Sequence, residues 1–93
     1  MKDNRVWLVT GASRGIGLAV ARRVVASGDR VALLARGDIV HSLASELGPN
    51  CMACRADVGN AGEVAAAIES VVDAWGRLDA VVRALAPWGQ SAP

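Results

Sequence analysis

Four short apolar runs, at residues 6–9, 31–35, 51–58 and 78–82, are separated by stretches with a different period. "VWLV" and "VALLA" are apolar without a break, the third run is weaker, and the fourth reads "LDAVV". Continuous rather than alternating apolarity over such lengths marks strands buried on both faces. The stretches between them are helical in pattern. Residues 15–27 are apolar almost all round, which predicts a buried helix ended by Gly28. Ile39, Leu43 and Leu47 line one face of a second helix, stopped by Gly48 and Pro49. Val64, Ile68, Val71 and Trp75 line a third, stopped by Gly76. Strand and helix alternate throughout, so the fold class is α/β. The expected architecture has three layers: a parallel sheet of about four strands in the order 3-2-1-4, with three crossover helices.

A chain of 93 residues forms one small domain, and 53% hydrophobic against 20% charged residues suits a packed core. A net charge of +1 favours neither nucleic acid nor a membrane surface as partner. The apolar part of "MKDNRVWLV" is too short for a secretory signal, so the expected location is cytoplasmic. Cys51 and Cys54 have C-x-x-C spacing, but side chains three apart on a strand point to opposite faces. With no second pair to complete a zinc site, both are read as small hydrophobes and no metal is expected. His41 falls on the wet side of the second helix and is given no role.

"TGASRGIG", residues 10–17, lies where the first strand ends and the first helix begins. Glycines there allow a tight turn and a close approach of a ligand to the backbone. The first helical turn offers unpaired N–H groups and the positive end of the dipole, which suits a phosphate. Ser13 adds a hydroxyl and Arg14 a fixed positive charge. The bland alternative is a tight packing turn that holds nothing. At the end of the second strand, a carboxylate would suit the ribose 2′-hydroxyl of NAD and an arginine the 2′-phosphate of NADP. "VALLARGD" puts Arg36 there; Asp38, two residues on, is read as the cap of the next helix. The bland alternative for Arg36 is a solvated charge.

These residues resemble the N-terminal half of an NADP-type short-chain dehydrogenase/reductase. The likeness rests on "TGASRGIG", "ALLAR", the Asp57-Val58 pair and "WGRLDAVV", and covers roughly residues 5–82. It implies a Rossmann-like fold and a carbonyl/hydroxyl oxidoreductase family. It also implies roles for matching positions: Gly11, Ser13, Arg14, Gly15, Ile16 and Gly17 along the phosphates, and Arg36 on the 2′-phosphate. Asp57 and Val58 would border the adenine, with the Asp57 carboxylate accepting from its amino group.

The resemblance breaks after the fourth strand. The family continues with Asn-Asn-Ala-Gly, whereas this chain has Arg83-Ala84-Leu85-Ala86. The family's catalytic serine and Tyr-x-x-x-Lys would come later; this chain has no tyrosine, and its one lysine is Lys2. No catalytic residue is therefore assigned. Residues 1–82 are expected to be a dinucleotide-binding half-domain and 83–93 an irregular tail. Read from the third base of the Arg83 codon, the tail's codons permit Ser-Ala-Gly-Thr-Val-Gly-Pro-Val. That resembles the family's continuation, so a one-base shift near Arg83 and a truncated chain are expected. The functional expectation is an NADP-binding fragment, inactive alone, that self-associates or needs a missing C-terminal half. The alternatives are a stand-alone nucleotide-binding or sensor module, and an interaction domain with a vestigial pocket.

Overall fold

A computed structural model describes residues 4–11 and 15–83. Along the chain lie β1 (Val6–Thr10), α1 (Gly15–Ala26), β2 (Arg30–Ala35), α2 (Ile39–Leu47), β3 (Cys51–Arg55), α3 (Ala61–Trp75) and β4 (Ala80–Arg83). The strands form one sheet in the order β3-β2-β1-β4, as the alternation predicts. All three pairings are parallel, with Val9 opposite Leu33 and Val82, and Leu33 opposite Ala53. Chain order runs outward from β1 through β2 to β3, then returns to place β4 on the other side of β1.

Because strand side chains alternate, each strand feeds two cores. On one face Val9, Val31 and Leu33 pack with Ala21 and Val24 of α1 and Val40 and Ala44 of α2. On the other, Val6, Leu8, Ala32 and Leu34 pack with Ala67 and Val71 of α3. This is why the β1 and β2 segments read as unbroken apolar runs. Cys51 packs with the first core and Cys54 with the second, so the two thiols are kept apart by the sheet itself. Burial, with Cys54 nearby, pushes the Cys51 thiol up to about 11, and burial also raises Cys54, so neither is a thiolate at neutral pH.

Several details differ from the sequence pattern. Helix α1 is not buried all round: Ala19, Arg22, Arg23 and Ala26 face water, and Gly17, Ala21 and Val24 face the sheet. Alanines fill either environment at little cost, so they blurred the period. Strand β3 stops at Arg55 rather than at residue 58. The Asp57 carboxylate takes the Gly59 N–H at 2.9 Å, turning the chain out of the sheet. Helix α3 begins three residues earlier than its apolar stripe. Asn60 caps it by accepting the Glu63 N–H at 3.0 Å, and the intervening residues are Ala61 and Gly62. Asp38 sits at the start of α2 but makes no side-chain cap bond there. Its carboxylate lies 3.2 Å from Arg55 instead.

The opposite, N-terminal ends of the strands are tied by two aspartates. Asp29 accepts the Arg5 N–H at 3.2 Å and the Trp7 indole N–H at 3.1 Å. The Asp79 carboxylate accepts the Val6 N–H at 2.8 Å, while its own N–H donates to the Val6 carbonyl at 2.8 Å. Arg30 lies 5.7 Å over the Trp75 ring, joining the end of α3 to the start of β2. Hydrogen bonds from Arg77 and from Val6 hold the Asp79 carboxyl below its ordinary value of 3.8. A lowered folded-state value means the stabilisation is present above the unfolded value and lost as pH falls through the folded one. Asp79→Asn should therefore lower the melting temperature by a few degrees at pH 7. The difference should shrink as both proteins are melted at pH values below 4; a gap that persists in acid would show that Asp79 acts through shape and not charge.

Candidate functional site

The C-terminal ends of β1, β2 and β3 lie along one rim of the sheet, and the strand order reverses beside β1, between it and β4. Ligands of open α/β sheets sit outside such strand ends. Two bonds carry the sheet pairing beyond the strands and fix the rim: Gly11 N–H to the Leu34 carbonyl and Ala56 N–H to the Ala35 carbonyl, both 2.9 Å. Gly11 and Gly15 have φ of 65° and 64°, a left-handed backbone that other residues adopt only with strain. A Cβ built on Gly15 would meet no atom within 4 Å, so this glycine answers to backbone conformation and to open space, not to crowding within the described fold. Ile16 and Gly17 follow in the first turn of α1, where Gly17 is buried. Ser13 and Arg14 lie outside the described residues.

Arg36 follows directly on β2, with its side chain 77% exposed. Across the rim Asp57 follows β3, and one Arg36 nitrogen lies 3.8 Å from its carboxylate. A long contact between exposed groups is worth little, so Arg36 is not locked by it. The Asp57 N–H donates to the Glu63 carboxylate at 2.8 Å, which fastens this turn to the first turn of α3. Val58, the next residue along the chain, is an apolar side chain left 53% exposed. Arg36, Arg55, Ala56, Asp57 and Glu63 line a cavity of about 340 Å³.

Of the residues singled out from the sequence, Arg36 and Asp57 thus meet directly, with Val58 beside them. Gly11 follows β1, and Gly15 and Gly17 lie in the first turn of α1. Arg55 and Glu63 were not singled out. Asn60-x-x-Glu63 has the spacing of a helix-capping pair and was readable as such. Nothing in the sequence tells that Glu63 reaches past the cap to Asp57. The set can hold an anion and an aromatic or polar ring edge. Among the described residues no group of three or more metal-binding side chains occurs.

A family model for short chain dehydrogenases matches residues 5–86. The chain belongs to the short-chain dehydrogenase family. It is 34% identical over 82 residues to 1,6-dihydroxycyclohexa-2,4-diene-1-carboxylate dehydrogenase of Pseudomonas putida, covering 86% of this chain and 30% of that protein. Among solved structures, 3-ketoacyl-(acyl-carrier-protein) reductase from Brucella melitensis, complexed with NADH, superposes with a TM-score of 0.80. It shares 31% identity over 83% of this chain and 32% of its own. An actinorhodin polyketide ketoreductase with NADPH gives a TM-score of 0.82 and 36% identity, over 88% of this chain and 33% of its own. The chain spans about a third of the length of the curated relatives it matches. Membership agrees with the parallel 3-2-1-4 sheet and with the glycine turn after β1.

The turn from Asp57 to Asn60 carries much of the rim, and its stability rests on the Asn60 cap. Asn60→Ala should cost about 1 kcal/mol in urea unfolding with an unchanged slope, as loss of an N-cap does. A cost near zero would mean that the Glu63 bond to Asp57 holds the turn alone.

Proposed function

We propose that this chain is the cofactor-holding part of a short-chain oxidoreductase that interconverts carbonyl and hydroxyl groups, and that it prefers NADP(H) to NAD(H). The observation that carries the preference is Arg36 at the mouth of the cavity beyond β2, with no carboxylate in its place. The relatives do not decide it, since one of the similar structures holds NADH and another NADPH.

The donor set fits a dinucleotide's adenosine half. Gly11, Gly15, Ile16 and Gly17 offer bare backbone and a helix N-terminus to the phosphates, joined by Ser13 and Arg14 of the same motif. Arg36 supplies a permanent cation with a planar fork for the 2′-phosphate. Asp57 has a half-exposed carboxylate to accept from the adenine amino group, and Val58 an apolar surface for the ring. Bound here, a nicotinamide cofactor would supply the hydride; these residues bind and orient it and move no proton. The proton-transfer groups of the family, a serine and Tyr-x-x-x-Lys, have no counterpart in these 93 residues, which contain no tyrosine.

Fluorescence titration should show NADPH binding about tenfold or more tighter than NADH, the worth of one charge-assisted contact. Arg36→Gln should erase the difference by weakening NADPH alone. Equal affinities in the unaltered chain would contradict the assignment. The same protein should show no carbonyl-dependent oxidation of NADPH. Turnover that scales with protein and survives repurification would mean that other groups do the proton transfer.

A further inference from the structure

Arg55 is the last residue of β3 and lies opposite Ala35, the residue before Arg36. Its Nε donates to the Arg36 carbonyl at 3.1 Å and lies 3.2 Å from the Asp38 carboxylate. Arg55 thus grips the loop after β2 at both of its charged residues, while its side chain stays 59% exposed and lines the cavity beside Arg36. Both contacts run through Nε, so neither occupies the two Nη nitrogens. The carboxylates nearby are already engaged: Asp57 with Arg36 and the Gly59 N–H, Glu63 with the Asp57 and Asn60-capped turn, and Asp38 with Arg55. Two guanidinium groups therefore flank one loop. Among the described residues each is paired with one carboxylate at its side, well exposed to water, a partner that a dianion displaces at little cost.

We propose that Arg55 is a second cationic arm of the 2′-phosphate site, and that Asp38 holds it in the empty site and gives it up to the phosphate. This rests on the NADP reading of Arg36 and adds to it a residue on another strand. Two arginines from different strands would clamp the phosphate between them, and the Nε bond to the Arg36 carbonyl would keep the two arms at a set spacing. Asp38 then acts as a competitor for Arg55 in the empty site.

The test is calorimetric titration of the chain with 2′,5′-ADP and with 5′-AMP, which differ only in the 2′-phosphate. Arg55→Gln should weaken 2′,5′-ADP about tenfold and leave 5′-AMP within about twofold. Arg55→Lys should recover part of the loss, since it restores charge without the fork. Asp38→Asn, which leaves both arginines in place, should tighten 2′,5′-ADP several-fold with 5′-AMP unchanged. An Arg55→Gln chain that binds 2′,5′-ADP as before, or loses both ligands equally, overturns the proposal; the second result would make Arg55 a brace for the loop only. Unchanged 2′,5′-ADP binding by Asp38→Asn overturns the exchange. Selective loss on Arg36→Gln with Arg55→Gln silent would leave the NADP reading standing and this one fallen. If the unaltered chain does not tell 2′,5′-ADP from 5′-AMP, both fall.

Discussion

β1 has hydrogen-bonded neighbours on both edges, and the rest of the molecule depends on that. Its ladders to β2 and β4 are both parallel, so each must be reached by a helical crossover. The crossovers through α1 and α2 cover one face and the one through α3 covers the other. Val6, Leu8 and Val9 are shut away from water as a result. The reversal of direction at β1 also opens the rim where its last residue, Thr10, gives way to the glycine turn. The buried Thr10 hydroxyl donates to the Val82 carbonyl at 3.4 Å, across that same junction. Structure and candidate site therefore share one cause: a central strand with partners on both sides.

The two ends of the sheet do different work. At the N-terminal end Asp29 and Asp79 accept backbone and indole N–H groups, which join strands to one another, and Asp79 also takes the Arg77 guanidinium at 2.8 Å. At the C-terminal end the carboxylates lie against arginines that remain largely in water. The first arrangement is worth stability because it satisfies backbone donors in the fold. The second is worth little as stability. It keeps charge loosely matched in a place where a ligand can replace one partner. Val81, opposite Leu8 on the α3 side of the sheet, is exposed, so α3 leaves part of this face uncovered.

Much of this was readable in the residues. Burial on both faces leaves an unbroken apolar signature, so β1 and β2 could be found and ordered from "VWLV" and "VALLA". The stripe of Ile39, Leu43 and Leu47 placed α2 at its observed bounds but not its core face, since Val40 and Ala44 are the residues it buries and Ile39 is exposed. Where the sequence misled, short polar side chains were choosing between local partners. Asp38 has the right type and position for a helix cap, yet an arginine from β3 takes it. Asp57 ends a strand early by bonding Gly59, which no hydrophobic pattern records. Arg36 could be named because it follows the second apolar run directly, and Asp57 because Asp57-Val58 matches the pattern of the family that the chain resembles. That Arg55 and Glu63 join them follows only from register, since residue 55 lies opposite residue 35 and the first turn of α3 folds back over the end of β3.

The central claim is that the rim formed by the ends of β1, β2 and β3 is the nucleotide site. Mapping backbone amide shifts of ¹⁵N-labelled protein during titration with NADP tests it most directly. The largest changes should fall at Gly11, Gly15, Gly17, Arg36, Asp57 and Val58, while Asp29, Trp75 and Asp79 at the other end of the sheet stay still. Changes centred on Asp29 and Asp79, or none at millimolar nucleotide in a folded sample, would contradict it.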